Sequence, residues 1–128
     1  MSFSYTVKTQ KSMNDAVEEI TSNLAKIKFG VLGTLDFKEI FAKKEIDFPN
    51  EYKLLEVCNP VAAKQVLDSD PNIGLLLPCT IAIYEKNDEN YISLARPTVL
   101  LSVAQNIGLE AMGKEIESKL IKVIDDSK

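Results

Sequence analysis

Phe3, Tyr5 and Val7 alternate with Ser4, Thr6 and Lys8, the period-two signature of a half-buried strand over Phe3–Thr9. The period then changes. Met13, Ala16, Val17, Ile20, Leu24 and Ile27 recur at helical spacing, with Glu18, Glu19, Lys26 and Lys28 on the other face. Ser12 with Asp15 three residues on reads as a capping-box start, and Gly30 as the C′ residue that ends the helix. Val31–Leu35 is a short apolar strand. Asp36 and Glu39 form a second cap-like pair before Phe37, Ile40 and Phe41, a short helix, and DFPNEY is a loop.

Tyr52–Cys58 is the third strand. Asn59 can cap the helix that follows, and Pro60 at its first position loses no needed hydrogen bond; that helix ends by SDPN. Ile73–Glu85 is mostly β-like. Pro78 inside it cannot donate to a ladder, so the strand lies at an edge there, bulges, or starts only after it. KNDEN is a hairpin turn and Tyr91–Ala95 the returning strand. Pro97 and Thr98 open a helical segment through Val99, Leu100, Val103 and Ala104. Gly108 interrupts it, and Leu109, Met112, Ile116, Leu120 and Val123 carry a final amphipathic helix.

The order is β-α-β-α-β-α-β-β-α-α. The Tyr84/Tyr91 hairpin argues against a purely parallel sheet. The expected class is α+β, an antiparallel or mixed sheet of about five strands with helices mainly on one face. The 128 residues correspond to one domain, 1–128, with no visible repeat or linker.

Composition narrows the function classes. The chain is 45% hydrophobic and 27% charged, with net charge −4 and one arginine, Arg96. Phosphate backbones and anionic membranes need a concentrated basic face, and the charges here are interleaved. Nucleic acid and membrane are therefore not expected partners. The N-terminus MSFSYTVKTQ has no basic-then-apolar leader pattern, and no apolar run has the length of a membrane span, so the expected location is cytoplasmic. Histidine is absent, which removes imidazole acid/base chemistry and the usual triads.

The segment EVCNPVAAKQVLDSDPNIGLLLPCTIAIYE resembles the domain-of-unknown-function 302 family. Cys58-Asn59-Pro60 with Ala63, the acidic helix end Asp68-Ser69-Asp70-Pro71, and Gly74-Leu75-Leu76-Leu77-Pro78-Cys79 carry the resemblance. Phe29-Gly30-Val31-Leu32 and the aliphatic final helix also fit. The resemblance implies a compact TATA-binding-protein-like α+β fold and a homodimer. It supplies no catalytic residue, and fold alone does not bring nucleic-acid binding with it.

Both cysteines of the chain lie in this segment. Cys58 stands before a helix N-terminus, where the dipole stabilises a thiolate; this favours a depressed pKa and a nucleophile. Cys79 follows Pro78. Antiparallel strands let the two thiols meet, whereas a parallel crossover separates them beyond disulfide reach. The alternative is that both are small buried hydrophobes. The spacing is not a zinc pattern, and no metal is expected. Candidate ligand-binding residues are Cys58, Asn59, Pro60, Pro78, Cys79 and Arg96. Arg96 could grip an anion or form a surface ion pair.

Gly30-Val31-Leu32-Gly33-Thr34 lacks both the P-loop lysine and the dinucleotide fingerprint. Asp68/Asp70 and Asp88/Glu89 read as loop charges. Phe37, Phe41, Tyr52 and Tyr84 read as core. Three functions stay open: a non-enzymatic homodimer binding a small, partly apolar ligand, a thiol-dependent redox or sulfur-carrier protein using Cys58 and Cys79, and a structural or regulatory interaction domain. No cofactor is indicated. For the third, Ile116 and Leu120 could pack across a dimer seam or within the monomer.

Overall fold

The computed structural model describes residues 2–77 and 79–128, with Ile107 described by its backbone alone. Five strands form one antiparallel sheet: β1 (Ser4–Thr9), β2 (Gly30–Asp36), β3 (Tyr52–Cys58), β4 (Cys79–Lys86) and β5 (Glu89–Ala95). Their spatial order is β1-β5-β4-β3-β2, and every pairing is antiparallel. The expected α+β class with an antiparallel sheet is what the chain forms.

Helices α1 (Met13–Lys26) and α5 (Glu110–Ser127) cover one face. Ala16, Ile20 and Leu24 of α1 and Leu120, Val123 and Ile124 of α5 pack on Leu55, Val57, Ile81, Ile83, Ile92 and Leu94. The period-two rule explains the set: Leu55↔Ile81↔Leu94 and Ile83↔Ile92↔Val7 are cross-strand partners on the same face. Leu120 is fully buried and Ile116 packs against this cluster, so both belong to the monomer core.

The opposite face carries Tyr52, Tyr84 and Tyr91 in register. Their rings stack at 5.6 and 5.4 Å, and Phe37, Phe41 and Phe48 continue the row. Of these, Phe37, Phe41, Tyr52 and Tyr84 were expected in the core. Tyr52 has the opposite parity to Leu55 and Val57, so its ring and its neighbours' rings stand half-buried on the face opposite α1 and α5, where Phe37 and Phe41 pack against it.

Local chemistry sets the boundaries. Ser12 Oγ accepts from Asp15 N at 3.1 Å, and Asp36 Oδ1 from Glu39 N at 3.1 Å, capping α1 and α2 (Phe37–Lys43). Helix α1 does not end on Gly30. Lys28 N bonds Ala25 O and Phe29 N bonds Leu24 O, a Schellman closure that puts Lys28, not glycine, at φ 64°. Gly30 instead begins β2. Asn87 and Asp88 both take positive φ, as a two-residue hairpin turn requires.

The expected strand from Ile73 does not form. Pro71–Leu76 is a 3-10 helix capped by Asp70, whose Oδ1 accepts from Asn72 N at 2.9 Å. β4 starts at Cys79 and is the central strand. Pro78 itself lies outside the described residues.

Candidate functional site

Four strand ends meet at one end of the sheet: Gly30, Cys58, Cys79 and Ala95. Helix α3 (Pro60–Ser69), the 3-10 helix and α4 (Pro97–Ser102) close over that end. They carry a second, smaller apolar cluster, with Val66, Ile73 and Leu109 buried and Leu76, Leu77, Leu101 and Met112 against them. Between this cluster and the main core lies a cavity of about 30 Å³. By that measure one water needs about 10–15 Å³, so the seam holds one or two water-sized groups.

The seam wall is almost wholly apolar. Phe29, Val57 and Ile116 form the core side, and Ala62, Ala63, Val66, Leu76, Leu77, Leu100 and Leu101 the cap side. The exceptions are sulfur groups and one amide: Cys58, Cys79, Met112 and Asn59. The antiparallel pairing decides the sequence-level alternative. Cys79 is the partner of Val57 and packs on the main core; Cys58 lies one register step away with the opposite parity, and both residues, free cysteines, border the cavity.

Burial in this wall raises both thiols rather than lowering them. Desolvation lifts Cys58 above the usual thiol value. Desolvation first, and the neighbouring Cys58 second, push Cys79 up to about 11. The expected depression at Cys58 is absent for a structural reason. Asn59 Oδ1 already accepts from Val61 N at 2.9 Å and Ala62 N at 3.2 Å, so the first N–H groups of α3 are engaged. Asn59 and Pro60 thus serve as the cap and first residue of α3.

Arg96 is not part of the cavity wall. Its guanidinium donates to Glu117 Oε2 at 3.2 Å and to Ser2 O at 3.1 Å. Glu117 Oε1 in turn accepts from Thr98 Oγ1 at 2.6 Å and Thr98 N at 3.1 Å. Desolvation alone would raise this carboxyl; the bonds from Thr98 and then Arg96 outweigh it and hold the group below the usual range. The clamp fixes the start of α4, and so the Pro97, Leu100 and Leu101 side of the seam. Gly113 allows the same approach: a Cβ there would stand 3.3 Å from Leu101 Cδ1.

Two larger depressions lie elsewhere. A cleft of about 320 Å³ of mixed character is bordered by Thr98, Leu101, Gln105, Leu109, Glu110 and Lys114. An open groove of about 280 Å³ runs along Phe37, Phe41, Phe48, Tyr52 and Leu54. Neither contains a thiol. Among the described residues no group of three or more His, Cys, Asp or Glu side chains could hold a metal ion, and no helix is long and apolar enough to cross a membrane. Asp68 pairs with Lys64 at 2.6 Å and Glu89 pairs with Lys8, in keeping with solvated charge. Met112 was not singled out from sequence as a site residue; its helical spacing marked it only as core.

The sequence profile of the family described as domain of unknown function DUF302 matches residues 5–127. The chain belongs to the DUF302 family. The crystal structure of an uncharacterized conserved DUF302 protein from Bacillus stearothermophilus is similar over 100% of both chains, with a TM-score of 0.95 and 31% identity. No curated protein matches the chain significantly.

Proposed function

We propose that this DUF302 chain is a binding protein without catalysis of its own, and that it takes a small ligand at the seam between the sheet end and its helical cap. One observation carries this: an almost wholly apolar cavity, bordered by both cysteine residues and Asn59, lies at the boundary of two cores. Concave, mostly apolar sites with few polar groups are the usual form of small-ligand sites. Native mass spectrometry of chain purified without reductant or chelator tests it. The expected result is one non-covalent adduct per chain, absent from Ala63→Phe, whose ring fills the seam. A bare mass in both proteins, with no stabilisation of the wild type by small thiophilic or apolar compounds, contradicts it.

The adjacency of Cys58 and Cys79 also supports a thiol-redox role. A peroxide would oxidise the pair to a disulfide, the two thiols losing two hydrogens while the peroxide is reduced to alcohol and water. The raised pKa of both groups makes that reaction slow. Loss of two hydrogens within minutes of mild peroxide, by intact mass, would favour this role over simple binding.

Homodimer formation is a further part of the proposal. The half-buried aromatic row on the face opposite α1 and α5 supports it, because aromatic side chains are enriched at protein interfaces. Light scattering should give a dimer mass that Tyr84→Glu reduces to a monomer. A monomeric wild type at micromolar concentration removes this part.

A further inference from the structure

Residues 59–77, which join β3 to β4 through α3 and the 3-10 helix, hold together as a unit of their own. Among the described residues their backbone hydrogen bonds all stay inside the segment, from Ala63 N to Asn59 O at one end to Leu77 N to Gly74 O at the other. The side chains do the same: Asn59 and Asp70 cap their own helices, and Lys64 pairs with Asp68. One bond leaves the segment, from Asn106 Nδ2 to Ser69 Oγ at 3.2 Å. Apolar contact does the rest, and within the segment only Val66 and Ile73 are buried.

Helix α4, the other wall of the seam, is tied differently. Thr98 N, Thr98 Oγ1 and the Arg96 guanidinium all bond Glu117 of α5. Segments with few buried apolar residues open at lower free energy than the fold as a whole. One wall of the seam is therefore fixed, and the other can lift.

The chemistry of the walls selects the guest. Val57, Val66, Leu76, Leu100 and Ile116 present aliphatic groups, and Met112 adds an unbranched, adaptable one. Among the described residues no charged side chain borders the cavity, Phe29 is its one ring, and Asn59 Oδ1 is engaged at the start of α3. A charged or hydrogen-bonding group would enter only by giving up its hydration. A planar ring would find no pair of rings to stack between. Methylene groups lose only their contact with water, and burying each one is favourable. With the cap in place the cavity of about 30 Å³ holds one or two water-sized groups, so a chain of several carbons needs that wall raised.

We infer that residues 59–77 are a lid that lifts from the sheet end, the rest of the fold intact, to admit a small, uncharged aliphatic molecule into the seam. This rests on the seam being the binding site, and adds the class of guest and its route. The Ser69–Asn106 bond is the catch, and the clamp at Glu117 keeps α4 in place while the lid moves.

Native-state hydrogen exchange of the full chain, in denaturant steps below the unfolding transition, tests the lid. The amides of Val66 and Leu67 should exchange through an opening with little denaturant dependence, and those of Ile20 and Ile83 only by global unfolding. Ser69→Ala should speed the first pair roughly 2–10-fold, as expected for one hydrogen bond. Glu117→Gln should speed Ile20 and Ile83 and leave Val66 and Leu67 unmoved, because the clamp stays closed as the lid opens. Lid amides that track Ile20 and Ile83, in denaturant or in Glu117→Gln, overturn the lid.

Octanol and indole, each titrated into chain refolded free of any adduct, test the guest. Octanol should shift the methyls of Val66, Leu100 and Ile116 saturably, indole should not, and Ala63→Phe should abolish the response; thermal unfolding checks that each variant folds. Seam methyls that answer indole as well as octanol, or indole alone, overturn the aliphatic guest and leave the seam as a site. Silence with both probes overturns this inference. If the chain as purified then also carries no adduct that Ala63→Phe blocks, the seam falls as a site too.

Discussion

Replacing Glu117 by glutamine keeps the shape of the clamp and removes its charge. The carboxylate accepts three bonds: Thr98 Oγ1 at 2.6 Å, Thr98 N at 3.1 Å and Arg96 at 3.2 Å. Bonds to a charged group contribute about 1.5–3 kcal/mol and neutral ones about half that. Glutamine can still accept from Thr98, weakly, but it turns an NH₂ donor or a neutral oxygen toward the guanidinium. The Glu117 side chain is 11% exposed and Arg96 30%, so solvent screens the ion pair only in part. The expected loss is about 2–3 kcal/mol. For a chain of this length a loss of 1 kcal/mol lowers the melting temperature by about 4 °C, which puts Glu117→Gln about 8–12 °C below wild type at pH 7.

The pH dependence has a definite sign. The folded carboxyl is held below its unfolded value. Its contribution is complete above the unfolded pKa of about 4.3 and is lost as pH falls through the lower folded value. Wild type and Glu117→Gln should therefore differ fully at pH 7 and converge below about pH 4. Thermal unfolding by circular dichroism across pH 3–7 measures this. A loss below about 0.5 kcal/mol at pH 7, or a gap that stays constant down to pH 3, would refute the clamp as described.

Other predictions follow from single contacts. Lys28→Gly should stabilise the chain by about 0.5–1 kcal/mol in chemical denaturation, because Lys28 occupies the left-handed conformation that glycine adopts without steric cost; a loss of stability would contradict the Schellman closure. Asn59→Ala should cost about 1 kcal/mol and speed amide exchange at Val61 and Ala62, whose N–H groups it leaves unpaired; unchanged exchange there would deny the cap. In metal-free native chain at pH 7.5, both thiols should react with iodoacetamide more slowly than free cysteine, and Cys79 more slowly than Cys58. Raised pKa values leave less thiolate at that pH. A Cys58 that outpaces free cysteine would restore the nucleophile expected from its place before α3.

Much of the fold was legible because its signals are local. Alternation in Phe3–Thr9 and the Asn87–Asp88 turn identify β1 and the β4–β5 hairpin, and Ser12, Asp36 and Asn59 cap the helices they were expected to cap. What failed depends on long-range packing. Gly30 looked like a helix stop, but Lys28 takes the strained turn and leaves Gly30 to open β2. Leu75–Leu77 looked like strand because an apolar run carries no period; Asp70 and Pro71 divert it into a 3-10 helix. The aromatic row was misplaced because Tyr52 and Leu55 differ in parity, and only the register says which parity faces the helices.

At the site, the motif located Cys58, Asn59 and Cys79, and left open whether the thiols meet. The antiparallel ladder makes them neighbours, a fact of strand direction that sequence spacing does not give, and its register puts them on opposite parities. Met112, which also borders the cavity, was invisible for a similar reason. Met112 lies 33 positions beyond Cys79 in the chain, and its helical spacing marked it only as a core residue.

If the seam is where the chain binds, emptying it must change the seam and little else. Methyl NMR of the chain as purified, and again after unfolding and refolding with chelator and reductant, measures that directly. Shifts are expected at the methyls of Ala62, Ala63, Val66, Leu100 and Met112, with the α4–α5 cleft at Thr98 and the aromatic groove at Leu54 unmoved. Unchanged seam methyls, with shifts confined to Leu54 or to the α4–α5 cleft, would place the ligand elsewhere and contradict the assignment.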